Sequence, residues 1–250
     1  MANAWVFRLE LNYKKPDLAK FSQGIKLYRK LRYRKGYGVH SPFVYNLITK
    51  VIEEKKPYYV FDDIEKLRDD LLIGRIQKAY PSRLGRLLFR LVNYFKCKSV
   101  LHVGSGSGML IPYLLTPFAD CKGVVLGQGE ELILTTEKMK ERLGLKNVEF
   151  YSDDYMDILN GFIAQSFKFD IIFIDLMDPD ITVELIWMCL KCIHGHTILV
   201  IRGIRRNKKM KMMWKRLREN SICVISLDLY TLGIVFFDNK MYKRHYKMHF

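Results

Sequence analysis

The sequence predicts an α/β protein, a doubly wound seven-stranded sheet that closes on an antiparallel hairpin and follows an N-terminal helical segment. Three observations carry this. Before residue 95 apolar side chains recur at helical spacing, and after residue 98 short β-rich runs alternate with helix-length segments. The last two apolar runs are separated by too few residues for a crossover helix.

Phe21, Ile25, Tyr28 and Leu31 lie on one helical face, as do Leu84, Leu87, Leu88, Leu91 and Tyr94. Between them Ser41 and Pro42 supply a cap and a first-turn proline for a helix through Phe43, Leu47, Ile48 and Val51. The strand candidates are SVLHV at 99–103, GVVL at 123–126, VEFY at 148–151, DIIFI at 170–174 and TILVI at 197–201. Such nearly continuous apolar runs belong to a parallel sheet buried on both faces. ICVISL at 222–227 and LGIVFF at 232–237 then pair as the hairpin. The expected division is 1–95, an N-terminal helical lid or substrate segment, and 96–250, the sheet domain.

At 250 residues, 49% hydrophobic and 27% charged, the chain has globular composition, and collagen-like, low-complexity and disordered classes are excluded. The net charge of +16 points to an anionic partner: nucleic acid, a membrane surface or an acidic small molecule. It is concentrated, with +9 over residues 1–60, −3 over 61–201 and +10 over 202–250. Two basic surfaces and ordinary solvated helix faces are both compatible with that asymmetry. No apolar run reaches the roughly 18 residues of a transmembrane helix, and Arg8 and Glu10 follow the opening apolar residues too soon for a secretory signal. A cytoplasmic location is expected. Cys97, Cys121, Cys189, Cys192 and Cys223 read as reduced core thiols, including the lone CxxC at 189–192.

Immediately after the first strand stands Gly104-Ser105-Gly106-Ser107-Gly108, leading into a helical pattern through Leu110, Ile111, Leu114 and Leu115. Glycines at such a turn allow a tight bend and close approach of backbone N–H groups to a ligand at a helix start.

From 98 to 250 the chain resembles a class I methyltransferase dependent on S-adenosylmethionine (SAM), closest to the bacterial small-molecule O-methyltransferase-like branch. The likeness rests on the glycine turn, on Leu143-Gly144-Leu145-Lys146-Asn147-Val148 followed by Ser152-Asp153-Asp154, on Phe169-Asp170-Ile171-Ile172-Phe173-Ile174-Asp175, and on the terminal hairpin. Tyr37-Gly38-Val39-His40-Ser41-Pro42-Phe43 resembles the start of some bacterial members. The resemblance implies a Rossmann-like fold, with His102, Gly104, Ser105, Gly106, Gly108 and Asp154 near the cofactor and Asp175 as the catalytic candidate.

Three acids of the family pattern are missing. His102 stands where an acid normally precedes the glycines, Gly127 aligns with the carboxylate that grips the ribose, and Arg202-Gly203 replaces an acidic metal-binding pair. No metal is therefore expected, since one aspartate beside an arginine does not make the oxygen array a hard cation requires. The substitutions make the crevice more positive, and Arg202, Arg205 and Arg206 become candidates for binding an anion.

Each candidate has a plainer reading. His102 is a general base or a strand-end histidine satisfied by backbone, Asp175 a ligand contact or a loop cap, Asp154 an adenine contact or a helix cap. Asp178-Pro179-Asp180 after the fourth strand lacks the pattern of base amino-methylating enzymes. Tyr28 to Lys35 interleaves aromatics and cations in a manner suited to RNA or to an ordinary amphipathic helix. The expected function is SAM-dependent methyl transfer to a small-molecule or nucleic-acid acceptor. The alternative is a catalytically degenerate relative that binds RNA or another anionic ligand.

Overall fold

The computed structural model describes residues 24, 28–29, 32, 39–72, 82–104, 108–128, 130–152 and 154–250. The helical face at Phe21, Ile25 and Leu31 lies outside them, as do Tyr37, Gly38, Ser105, Gly106, Ser107 and Asp153.

Helix α1 (Pro42–Leu47) begins as the Ser41-Pro42 pair predicts: Ser41 Oγ accepts from the Val44 amide at 3.4 Å, and Pro42 fills the first turn. It runs on as a π-helical turn, Ile48–Ile52. The Val51 carbonyl in that turn accepts from Nε of Arg90, 2.6 Å away on α3 (Ser82–Phe95). Burial holds the Arg90 guanidinium below its ordinary pKa. Helix α2 (Tyr59–Leu72) packs beside them, and Tyr58, Phe61 and Phe89 form an aromatic cluster with centroids 4.8 to 5.2 Å apart.

The sheet then alternates with helices: β1 (Ser99–Gly104), α4 (Ile111–Leu115), β2 (Lys122–Leu126), α5 (Glu130–Leu143), β3 (Val148–Tyr151), α6 (Tyr155–Ala164), β4 (Ile171–Asp175), α7 (Pro179–Cys189), β5 (Ile198–Arg202), α8 (Lys208–Glu219), β6 (Ile225–Asp228), β7 (Leu232–Phe236) and β8 (Arg244–Lys247). The strand order is β3-β2-β1-β4-β5-β7-β6-β8. β1 to β5 are parallel, β7 inserts antiparallel between β5 and β6, and β8 runs parallel to β6 at the edge. The order reverses between β1 and β4, the switch point where this class of sheet opens a ligand crevice.

Eight strands therefore stand where seven were expected. The extra one, Arg-His-Tyr-Lys, has no apolar alternation and is mostly exposed, so it reads as a basic tail until its pairing with Ile225–Asp228 is seen.

Period-2 alternation divides the core. Val100, Val125, Ile171, Phe173, Ile198 and Val200 face α1 to α5, whereas Leu101, Leu126, Ile172, Ile174, Leu199 and Ile201 face α6 to α8. The helices before residue 95 thus share one core with the sheet. All five cysteines are buried free thiols. No helix among the described residues is long and apolar enough to cross a membrane.

Candidate functional site

The carboxyl ends of β1, β4, β5 and β6 bring together Gly104, Asp175, Arg202 and Asp228. Gly104 and Asp175 are register partners across the switch point. Gly108 follows the turn with φ +76°, a left-handed backbone that only glycine adopts without strain, and its carbonyl accepts from the Ile111 amide at the start of α4.

His102 shares the sheet face of Val100 and Gly104, with its ring stacked on Phe173 of β4 at a centroid distance of 5.3 Å and an interplanar angle of 10°. Burial pushes its pKa down to about 4, against the opposing field of Asp175. The imidazole is therefore neutral near pH 7. Its Nδ1 is buried and has no hydrogen-bond partner among the described residues, so backbone does not satisfy that nitrogen. Its Nε2 would lie 2.7 Å from a Cβ at Gly104, which shows how closely the ring supports the start of the turn.

At the end of β2, a Cβ on Gly127 would fall 2.0 Å from Cδ2 of Leu132 and 2.9 Å from the Gly104 carbonyl. Leu132 is buried, and its Cδ1 would lie 2.8 Å from a Cβ at Gly108. An apolar side chain from α5 thus packs against both glycines, and Thr136 Oγ1 donates to the Leu132 carbonyl at 2.7 Å. Leu132 escapes sequence reasoning because it looks like any core position of an amphipathic helix.

Asp175 is 2% exposed. Its Oδ2 accepts from Arg202 Nη1 at 2.9 Å, and Arg206 Nη2 stands 3.8 Å from Oδ1. Arg206 also donates to the carbonyls of Leu176 and Met177. Arg205 is ion-paired with Asp228. Asp228 also receives Arg29 Nη1 at 2.9 Å, an ion pair in which both side chains are almost fully buried. Both guanidinium groups approach the ring of Tyr230, at 5.3 Å for Arg29 and 5.7 Å for Arg205. The three expected anion binders are thus each engaged with carboxylates or carbonyls of the chain itself. Arg29 and Asp228 were missed; an aspartate ending an apolar strand was the available signal.

Asp154 is the exposed N-cap of α6, accepting from the Met156 amide at 2.7 Å. Asp178 caps α7 in the same way, accepting from the Asp180 and Ile181 amides at 2.7 and 3.2 Å. Ser105 and Gly106 lie outside the described residues. No three His, Cys, Asp or Glu side chains among the described residues are grouped to share a metal ion.

Neither a family profile nor a curated protein sequence matches the chain. Solved structures do. The SAM-bound O-methyltransferase TomG of Streptomyces achromogenes superposes with a TM-score of 0.58 at 16% identity, over 78% of this chain and 94% of that one. The fold is that of a class I methyltransferase. An O-methyltransferase of Bacillus cereus in complex with S-adenosylhomocysteine (SAH) matches this methyltransferase fold with the same score and identity, over 78% of this chain and 97% of that one. An SAH-bound methyltransferase of Podospora anserina extends the match to 95% of this chain and 99% of its own, with TM-score 0.58 at 12% identity. With 95% of the chain covered, the last match takes in helices before residue 95 as well as the sheet.

Proposed function

We propose that the chain is a SAM-dependent methyltransferase with a small-molecule acceptor, working at the carboxyl edge of the sheet between β1 and β4. The observation that carries this is the register pairing of Gly104 with Asp175 at the switch point, just ahead of the left-handed Gly108. The solved neighbours that hold SAM or SAH share this sheet.

The residues fit the cofactor on one side of the crevice and only weakly on the other. Gly104 and Gly108, with Ser105 and Gly106 between them, would form the backbone cradle. His102 would support it from below as a neutral ring. Asp154 would approach the adenine only from its place as a helix cap. No carboxylate stands at Gly127 to accept from the ribose hydroxyls. That absence lowers affinity by at least about 1.5 kcal/mol, roughly tenfold. When bound, SAM supplies an activated methyl group for in-line transfer. The contribution of the chain is positioning. Asp175, held by Arg202, is fixed in orientation at the mouth of β4. Residues 1–95 act as lid and acceptor pocket over the 96–250 domain. The tie between Arg29 and Asp228 supports that division of labour by anchoring Arg29 at the carboxyl end of β6, on the same edge of the sheet as the proposed site.

Calorimetric titration with SAM and SAH tests the proposal. One-to-one binding of both, with methyl transfer to a small hydroxylated acceptor, is expected; absence of heat with both ligands in a cooperatively folded sample rejects it. A second reading, a catalytically degenerate relative that binds an anion, is favoured by Leu132 filling the space at Gly127 and by the arginine clamp on Asp175. It predicts binding of a nucleoside phosphate with no response to SAM.

A further inference from the structure

A cleft lies far along the sheet from the β1–β4 switch point, between the start of α1 and the edge strand β8. Its volume is about 590 Å³, and its lining includes His40, Phe43, Lys240, Tyr242, Arg244 and Tyr246. No aspartate or glutamate is among its described lining residues. Tyr242 is 90% exposed, an unusual state for an aromatic ring. Phe43 forms part of the floor, packed edge-on against Phe236 at 5.2 Å. Lys240 and Arg244 are exposed, and neither side chain is paired with a carboxylate among the described residues. Lys243 and Lys247 extend the positive charge along the strand, and residues 239–250 contain no acid. Lys243 Nζ is occupied by the Glu219 and Asn220 carbonyls at the end of α8, at 3.0 and 2.7 Å. The nearest acid in sequence, Asp238, accepts from the Lys240 amide at 2.9 Å.

We propose that this cleft binds a single strand of nucleic acid, with phosphates on Lys240 and Arg244 and a base stacked on Tyr242. The chemistry decides between anionic partners. A carboxylate-bearing peptide would use the cations and the open edge of β8 but has no use for a bare aromatic face, whereas every nucleobase does. The volume holds one or two nucleotides, so the contact is short and reads stacking and charge rather than sequence. This inference does not depend on methyl transfer, since the cleft shares no residue with the β1–β4 crevice.

The test is fluorescence anisotropy of labelled oligouridylate and oligothymidylate decamers on the full chain, between about 50 and 200 mM salt. Lys240→Ala with Arg244→Ala removes two phosphate contacts and is expected to flatten the salt slope by about 1.4, at roughly 0.7 per contact for single strands. Tyr242→Ala is expected to weaken binding about tenfold with the slope unchanged. All three side chains are exposed, so the variants should melt like the parent. Lys211→Ala with Lys215→Ala, an equal loss of charge on the exposed face of α8, is expected to leave the slope alone. Preference for one decamer assigns the strand as RNA or DNA. Equal effects of the two charge deletions, displacement of the decamers by polyglutamate at the same charge concentration, or no binding of either decamer each overturns the proposal.

Discussion

Installing the missing ribose acid is the sharpest probe of the β1–β4 crevice. Gly127→Asp alone has no room, because its Cβ would sit 2.0 Å from Leu132 Cδ2. Adding Leu132→Ala clears that side. Leu132 is buried, so truncation costs about 2–5 kcal/mol of stability, a loss read as a lower melting temperature. In exchange, a carboxylate at the end of β2 can accept from two ribose hydroxyls. Charge-assisted hydrogen bonds contribute about 1.5–3 kcal/mol each before the cost of ordering the new side chain. The Gly104 carbonyl, 2.9 Å from the added Cβ, is backbone and must shift as well, which takes back part of the gain. The expected net is a ten- to hundredfold tighter SAH complex. Calorimetry on Leu132→Ala and on the double variant, with SAH and with its 2′-deoxy analogue, separates cavity from clamp. Only the double variant should tighten, and only for the ribose form. A cooperatively folded double variant that binds SAH no better than Leu132→Ala would refute the placement of the ribose at Gly127.

Other consequences follow from the buried charges and caps. Arg202→Met leaves the carboxylate of Asp175, 2% exposed, without its 2.9 Å partner, and should cost about 3–5 kcal/mol in denaturant unfolding. Asp175→Asn in the same chain should recover much of that loss. The pKa of His102 lies near 4 in the fold and near 6.5 when unfolded, so the unfolded chain binds the extra proton first as pH falls. Its contribution, about 3 kcal/mol, is present above pH 6.5 and is lost on descending towards 4; His102→Gln should flatten that limb of the stability–pH curve. Asp178→Ala removes the α7 cap that accepts from the Asp180 and Ile181 amides and should lower stability by about 1 kcal/mol in thermal melts.

The fold was legible wherever a local pattern had one physical solution. The runs at 99–103 and 170–174 are apolar without alternation, which only strands buried on both faces require, and their helix-length connections force parallel pairing. The short link after residue 227 forced the hairpin. The eighth strand was not legible because Arg244–Lys247 owes its conformation to the free edge of β6 rather than to its own pattern. At the switch point the order of elements was legible and the side-chain contacts were not. The turn at 104–108 and the aspartate ending β4 follow from local order, but Leu132, thirty residues from His102 and on another element, shows its role only in three dimensions.

Charge shows most clearly why counting along the chain falls short. Replacing acids by His102, Gly127 and Arg202 suggests a crevice of rising positive potential. In the fold, Arg202 and Arg206 approach Asp175, and Arg29 and Arg205 close on Asp228, so each carboxylate that ends a strand is shared by two guanidinium groups and the carboxyl edge keeps an excess of positive charge. His102 adds no charge, because burial keeps it neutral. Among the exposed cations of the C-terminal region, Lys240 and Arg244 at the β8 edge line a cleft in which no carboxylate compensates them among the described lining residues. Guanidinium groups already held by carboxylates are less available to a second anion than the exposed cations of the β8 edge. The two surfaces therefore call for different ligands, and the salt dependences of SAH and oligonucleotide binding, weaker for the first than for the second, would separate them in one protein sample.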